Sequence, residues 1–245
     1  MRAETEENVN RPEQGRHLAL TLLSALALAS CQIEDAPVPP GSQTAARPAQ
    51  PDAPTAQSPA LAQLDSLTIK GRAPKTGYSR EQFGQAWTDD VNVAQGHNGC
   101  DTRNDILRRD LTVVTVKPGT RECVILTGVL DDPYTGRRID FVRGEKTSPA
   151  VQIDHVVALS DAWQKGAAQW DRAKRTDFAN DPANLQATDG PTNQSKGAGD
   201  AATWLPPNKS YRCTYVSRQI DVKARYSLWV TEAEKQAMAQ IVATC

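Results

Sequence analysis

The stretch that decides the fold reads Val151-Gln152-Ile153-Asp154-His155-Val156-Val157-Ala158-Leu159. It is apolar and rich in β-branched residues, which predicts a strand over 152–159. Successive side chains of a strand point to opposite faces, so a purely structural Asp-His pair would send one member into the core. A metal ligand beside a general base explains the pair better, provided that a distortion turns both side chains towards one site.

Other interpretations of Asp154 and His155 remain open at this point. The two residues could form a buried hydrogen-bonded pair, or belong to a Ser-His-Asp hydrolase. A hydrolase would be expected to carry a Gly-x-Ser-x-Gly turn around its nucleophile, and the sequence has none. A further histidine, His97, lies in the Gly-rich stretch Gln95–Gly99, and we interpret it as exposed rather than catalytic.

Two asparagine-containing segments follow the Asp-His pair. A short strand is predicted over 185–188, and Pro191 is a favourable first residue for a helix that we expect to continue towards Trp204. The order strand, strand, helix indicates a ββα unit in which the strands pair and the helix packs across them. The two segments read Asn180-Asp181-Pro182-Ala183-Asn184-Leu185-Gln186 and Asn193-Gln194-Ser195-Lys196-Gly197.

The three segments together resemble the HNH, or His-Me finger, endonucleases. They are most similar to the HNH branch at the C-terminus of GmrSD-type restriction proteins and to its secreted members. Two further stretches add to the resemblance, Asp132-Pro133-Tyr134-Thr135-Gly136 and Trp204-Leu205-Pro206-Pro207. The resemblance covers most of residues 78–245 and implies an α+β fold: a ββα-metal core with additional N-terminal strands and flanking helices.

The resemblance also implies a role for each polar residue. His155 would be the general base that takes a proton from the water attacking phosphorus, and its ordinary pKa of about 6.5 would suit that task. Asp154 and Asn193 would bind one divalent cation, and Asn184 would tie the loop that aims His155. One carboxylate and one amide oxygen suit Mg²⁺, with Mn²⁺ as a substitute and Zn²⁺ as a poorer fit.

Basic residues near this site would contact the substrate, nucleic acid. Lys196 lies one helical turn after Asn193 and would point at the phosphate from the same face, although plain surface exposure is the alternative. Arg138 belongs to a basic cluster that would contact the substrate or form a solvated face. The chain carries 28 Lys and Arg against 29 Asp and Glu, so a strongly basic footprint is absent. We expect DNA rather than RNA as substrate, low sequence specificity and a monomer.

The N-terminal quarter of the chain differs in composition from the rest. Residues 18–30 are mostly apolar, too short to span a bilayer, and typical of a signal peptide. Leu28–Cys31 resembles a bacterial lipobox, which predicts a signal peptide over 1–31 and lipidation of Cys31; a plain secretory signal is the alternative. Residues 32–65, rich in Pro and Ala, predict a disordered tether, and residues 66–245 the nuclease domain.

Export would place the domain in an oxidising compartment, on the outer face of the cell membrane or in the periplasm as a lipoprotein, or otherwise secreted. Besides Cys31, four cysteines remain, and an even number favours two disulfides. Proximity in sequence favours the pairs Cys100–Cys123 and Cys213–Cys245. A zinc site is the alternative, but the sequence has no Cys-x-x-Cys pair.

Two functions therefore follow from the sequence. The first is an exported, metal-dependent endonuclease. The alternative is a catalytically inactive lipoprotein that uses the same scaffold to bind nucleic acid or a component of the cell envelope.

Overall fold

The computed structural model describes residues 58–245. The predicted signal peptide 1–31, the predicted lipidation site Cys31 and the first part of the predicted tether lie outside the described residues. Within 58–245, no helix has both the length and the apolar character that a membrane crossing requires.

Helices and strands both contribute to the described part, so the predicted α+β class is confirmed. The helices and strands are α1 (Pro59–Ser66), α2 (Thr102–Asp110), β1 (Thr112–Val116), β2 (Ile125–Asp131), β3 (Arg138–Val142), β4 (Val151–His155), α3 (Leu159–Gln164), α4 (Arg172–Asn180), β5 (Leu185–Asp189), α5 (Gly190–Lys196), α6 (Arg212–Tyr226) and α7 (Glu232–Val242).

The strands form two antiparallel sheets among the described residues, one ordered β1-β2-β3 and one containing β4 and β5. In the second sheet the register runs from Val151 opposite Asp189 to His155 opposite Leu185. Helix α5 follows β5 directly and packs against both strands. The predicted order of strand, strand and helix is therefore present, and it places Asp154, His155 and Asn193 on neighbouring elements.

The folded part begins earlier than predicted. Residues 59–65, assigned to the tether, form most of α1, which Ser58 caps through a hydrogen bond from the backbone N–H of Leu61. Leu64 is fully buried and packs in a cluster with side chains of α6 and α7. Leucines at positions 61, 64 and 67 give this short stretch one apolar face, which outweighs its Pro- and Ala-rich composition.

Two predicted helices are shorter than expected. The helical spacing of Trp163 and Trp170 in the sequence predicts one helix over 160–178. The structure divides it into α3 and α4, because Gly166 has φ 133° and Asp171 caps a new helix. The helix predicted to continue to Trp204 ends at Lys196, because Gly197 has φ 54°, a backbone region that glycine readily adopts. Strand β4 likewise ends at His155 instead of continuing to Leu159.

Both predicted disulfides are present, Cys100–Cys123 and Cys213–Cys245. The second joins α6 to the C-terminal residue, just beyond α7. The sequence Thr231-Glu232-Ala233-Glu234 predicts a capping box at the start of the last helix. The structure has it, with Thr231 and Glu234 each accepting a hydrogen bond from the other's backbone N–H.

Candidate active site

One cavity of about 540 Å³ brings together the predicted general base and both predicted metal ligands. Asp154 and His155 from β4 and Asn193 from α5 all line it. Asp154 and His155 are each less than a tenth exposed, yet both reach the cavity although they are neighbours in a strand. The three side chains therefore meet at one cavity, as the hypothesis drawn from the sequence requires.

The imidazole of His155 is fixed by a hydrogen bond and a stacked ring. Its Nε2 lies 2.9 Å from the carbonyl oxygen of Ala179. A carbonyl can only accept, so Nε2 carries the proton of the neutral ring and Nδ1 keeps a lone pair. The indole of Trp87 stacks on the imidazole, with centroids 5.9 Å apart and planes at 13°.

The pKa of His155 differs from the ordinary value expected from the sequence. Burial lowers it to about 3; the hydrogen bond to Ala179 opposes the shift, and the nearby cations Arg80 and Lys196 add to it. The ring is therefore neutral near pH 7, with its Nδ1 lone pair available. A base with so low a pKa is weak, but an anionic phosphate entering the cavity would favour the protonated ring.

Asn184 ties the turn that follows His155. Its side chain accepts a hydrogen bond from the N–H of Val157 (2.8 Å) and donates one to the carbonyl of Val157 (3.2 Å). Its backbone carbonyl accepts from the N–H of Val156 (2.8 Å). This is the tie expected of Asn184, and its effect on the orientation of His155 stays a prediction.

Asp154 is held by two buried partners. The hydroxyl of Tyr134 donates to its Oδ2 at 2.6 Å, and the ammonium of Lys196 lies 3.0 Å from both carboxylate oxygens. Lys196 also donates to the carbonyl of His155 at 2.7 Å and is 3% exposed. The prediction that Lys196 contacts the phosphate is therefore corrected: α5 turns this side chain inwards, where it orients Asp154.

Tyr134 was not identified as a site residue from the sequence. It lies in the turn after β2, where the carboxylate of Asp132 accepts hydrogen bonds from the backbone N–H groups of Tyr134 and Thr135. Asp132 also accepts from the hydroxyl of Thr188 and the N–H of Asp189, which anchors the turn to β5. Burial and the charge of Asp154 raise the pKa of Tyr134 well above its usual value, so the hydroxyl remains a donor.

Replacing Tyr134 with Phe should destabilise the protein while preserving the ring packing. The variant loses one buried hydrogen bond to a charged acceptor, so we expect the free energy of unfolding to fall by about 1.5–3 kcal/mol. In the control Tyr215→Phe, the lost bond has a neutral donor, the side-chain amide of Gln219, and a loss of about 0.5–1.5 kcal/mol is expected. Urea unfolding measures both; equal losses would show that the bond to Asp154 has no special strength.

Asn193 is suited to bind a cation through oxygen. Its amide nitrogen donates to Oε1 of Gln152 at 3.0 Å, so the nitrogen is engaged and the Oδ1 end of the amide has no hydrogen bond within residues 58–245. The same part of the chain holds no group of three or more His, Cys, Asp or Glu side chains arranged for a metal. Asp154 and Asn193 would thus supply one carboxylate and one amide oxygen, a set that suits a hard cation with water and phosphate as further ligands.

The basic residues at the cavity are not the ones predicted. Arg138 is exposed on β3 and is not part of the cavity wall. Lys75, Arg80 and Arg103 line the cavity instead, and neither Arg80 nor Arg103 forms an ion pair within residues 58–245. Burial and the charge of Arg143 lower the pKa of Arg103, which indicates a guanidinium without full compensation. These cations lie 50 residues or more from His155 along the chain, so no local motif identifies them.

Comparison with known proteins identifies the family. The family model for the C-terminal domain of GmrSD restriction endonucleases matches residues 101–241, more than half of the chain. A protein of Arthroderma benhamiae described as an uncharacterized secreted protein is 38% identical over 227 residues, which cover 92% of this chain and 98% of that protein. No solved structure gives a significant match. The chain therefore belongs to the family of GmrSD restriction endonuclease C-terminal domains.

Proposed function

We propose that the protein is an exported, metal-dependent endonuclease that hydrolyses phosphodiester bonds, in DNA rather than RNA and with low sequence specificity. The observation that carries the proposal is the cavity that Asp154, His155 and Asn193 share. The family, which is nuclease-related, supports the same chemistry.

His155 has the geometry of a general base. The hydrogen bond from Nε2 to Ala179 and the stacked Trp87 fix the ring, so the Nδ1 lone pair is held in place before substrate binds. In the proposed reaction Nδ1 accepts a proton from the attacking water, and the phosphate that has entered the cavity stabilises the imidazolium.

The cationic walls would bind and orient the substrate. Arg80 and Arg103 line the cavity that contains Asp154 and His155, and their guanidinium groups would form charge-assisted hydrogen bonds with phosphate oxygens. Phosphate contacts fix position without reading bases, which agrees with low sequence specificity.

Asp154 and Asn193 would hold the divalent cation. When bound, Mg²⁺ would stabilise negative charge on the phosphate and on the leaving oxygen. Tyr134 and Lys196 keep the carboxylate of Asp154 in one orientation. The ammonium of Lys196 also partly neutralises that carboxylate, which would make the cation bind weakly.

Export is supported by two observations. The described domain carries two disulfides, which persist in oxidising compartments. The Arthroderma benhamiae relative is described as secreted. Attachment through a lipid on Cys31 belongs to the proposal as one way of retaining the exported domain at the membrane.

Removal of the divalent cation should stop the reaction. We expect the purified protein to nick plasmid DNA in the presence of Mg²⁺, to lose this activity in EDTA, and to recover it with Mg²⁺ or Mn²⁺ but poorly with Zn²⁺. Nicking is measured on agarose gels, with RNA as a parallel substrate.

The matched control is Asp154→Asn, which removes the carboxylate and should not recover with any of these cations. Undiminished cleavage after rigorous chelation would contradict the metal-dependent scheme. Binding of DNA without cleavage under all conditions would favour the inactive binding protein.

A further inference from the structure

A second cavity, of about 400 Å³, adjoins the proposed active site. Four residues line both cavities: Arg80, Trp87, His155 and Leu159. The two spaces therefore meet at the imidazole of His155 and at the indole stacked on it.

The walls of the two cavities differ in chemistry. The first contains the charged and polar groups of the proposed site, including Asp154, Arg103 and Asn193. Small and apolar residues contribute much of the second, among them Phe83, Ala86 and Ala179. A flat, mostly apolar ring fits such a space better than a phosphate does, because Glu81, which also lines the cavity, would repel a phosphate and offset the attraction of Arg80.

Trp87 separates the two cavities in a strained conformation. Its φ is 59°, which is unusual for a bulky residue and costs backbone free energy. Strain of this kind persists where the surrounding structure enforces it, often at functional sites. The indole is thereby held against His155, where it forms a wall of both cavities.

One residue that lines the second cavity, Asn180, has a buried polar atom without a partner among residues 58–245. Asn180 is 2% exposed, and its amide nitrogen donates to the carbonyl of Thr176 at 2.9 Å. Its Oδ1 is buried and accepts no hydrogen bond from the described residues. Buried acceptors normally have donors, and the N–H groups on the edge of a nucleobase could supply one once the amide of Asn180 turns towards the cavity.

We infer that the second cavity is a nucleobase subsite, which rests on the proposed nuclease function. When the scissile phosphate lies beside Asp154 and His155, the base of an adjoining nucleotide enters the space between Trp87 and Ala179. There its ring stacks on an aromatic wall, as bases do in proteins that bind single strands, and its edge faces Asn180. A base can enter only when it leaves its pair, so unpaired nucleic acid is the preferred substrate class.

The test compares substrates that differ in a single base. Single-stranded oligonucleotides are made with one cleavable phosphodiester among methylphosphonate linkages. Three versions are compared: one lacks the base on the 5′ side of that phosphodiester, one lacks the base on its 3′ side, and one keeps both bases. We expect removal of one of the two bases to lower kcat/KM about tenfold or more, in line with the value of base–aromatic stacking. Pairing the intact oligonucleotide with its complement should lower kcat/KM similarly.

A variant that fills the second cavity tests the location. Ala86 is exposed at its edge, and Ala86→Phe should bring the rate for the intact oligonucleotide down to that for the abasic one. Ala233→Phe, at an exposed alanine of α7, is the matched control. It should retain the wild-type ratio of kcat/KM between the intact and the abasic oligonucleotide.

The outcomes separate the two proposals. Equal kcat/KM for the intact, abasic and paired substrates would overturn the nucleobase subsite while leaving the nuclease intact. If a folded Ala86→Phe variant kept the wild-type ratio of kcat/KM between the intact and the abasic oligonucleotide, base recognition would lie elsewhere and the proposed subsite would also be overturned. Failure to cleave any substrate, including plasmid DNA, would overturn the nuclease itself. The substrate comparison uses the wild-type protein, so it tests the nucleobase subsite even if Ala86→Phe does not fold.

Discussion

Replacing His155 with Asn is expected to lower the rate of phosphodiester cleavage about 10²–10⁴-fold, the range that a positioned general base contributes. Asparagine offers no basic nitrogen, whereas the Nδ1 of the neutral imidazole has a free lone pair because Nε2 is engaged with Ala179. The rate constant at saturating plasmid and Mg²⁺ measures the loss, and circular dichroism verifies the fold.

His97 provides the matched control for this substitution. It lies in a loop, its side chain is 59% exposed, and its φ of 57° is one that asparagine tolerates. His97→Asn should therefore cleave at the wild-type rate. If His155→Asn and His97→Asn were equally active, the imidazole of His155 would have no part in the reaction and the proposed mechanism would be wrong.

The residues that sequence reasoning located in the site share a local signal. Asp154 and His155 are conspicuous because two polar residues interrupt an apolar strand, and Asn193 because it follows a helix-starting proline. Asn184 was expected to tie the loop after His155, and it forms hydrogen bonds with both the N–H and the carbonyl of Val157. Local patterns of this kind can be recognised in the sequence because each depends on only a few neighbouring residues.

The residues that sequence reasoning missed depend on contacts between distant segments. Tyr134 reaches Asp154 from the turn after β2, and Trp87 and Arg80 belong to a segment before α2 that contains a 3₁₀ helix over Arg80–Phe83. Lys196 shows the converse error: its position one turn after Asn193 was correctly noted, but the packing of α5 on β4 and β5 directs it inwards. Which face of a short helix is buried is decided by the sheet beneath it, which the spacing alone does not reveal.

Helix ends show the same difference between features encoded in a few neighbouring residues and features set by contacts between distant segments. The capping box of Thr231 and Glu234 is encoded within four residues and was predicted correctly. The break at Gly166 was missed because Trp163 and Trp170 have helical spacing, and a single glycine inside such a pattern is often tolerated. Trp163 lies on α3 and Trp170 in the connection before α4, yet both rings pack in the same core cluster, so the spacing reported burial rather than one continuous helix.

Behind the candidate active site, six charged side chains form a network in which all but Arg72 are buried. Asp161 follows Leu159 and Ser160, which line the cavity; its carboxylate is within 3.0 Å of the cations of Arg72, Lys165 and Lys223. Glu234 of α7 bridges Lys165 and Lys223 from the other side. Asp200 completes the network by pairing with Arg72 and Lys165, so three positive charges balance three negative ones.

Replacing Lys223 with Met should therefore destabilise the protein strongly. Lys223 is fully buried; burial opposes its charge, but Asp161 and Glu234 raise its pKa above the usual value. The variant leaves the network with one uncompensated negative charge, so we expect the free energy of unfolding to fall by about 3–5 kcal/mol. Chemical denaturation near pH 7 measures this change.

Two further variants separate the charge imbalance from the loss of packing. In Lys223→Met with Glu234→Gln the network is again neutral, so the double variant should lose less stability than the sum of the two single variants. Lys235→Met removes a surface cation of α7 whose ion pair with Asp65 is partly exposed, and should cost at most about 1 kcal/mol. Additive losses in the double variant would show that the network does not act as a unit. Strong coupling would show that α3, which begins at the cavity wall, is held to α6 and α7 by balanced buried charge.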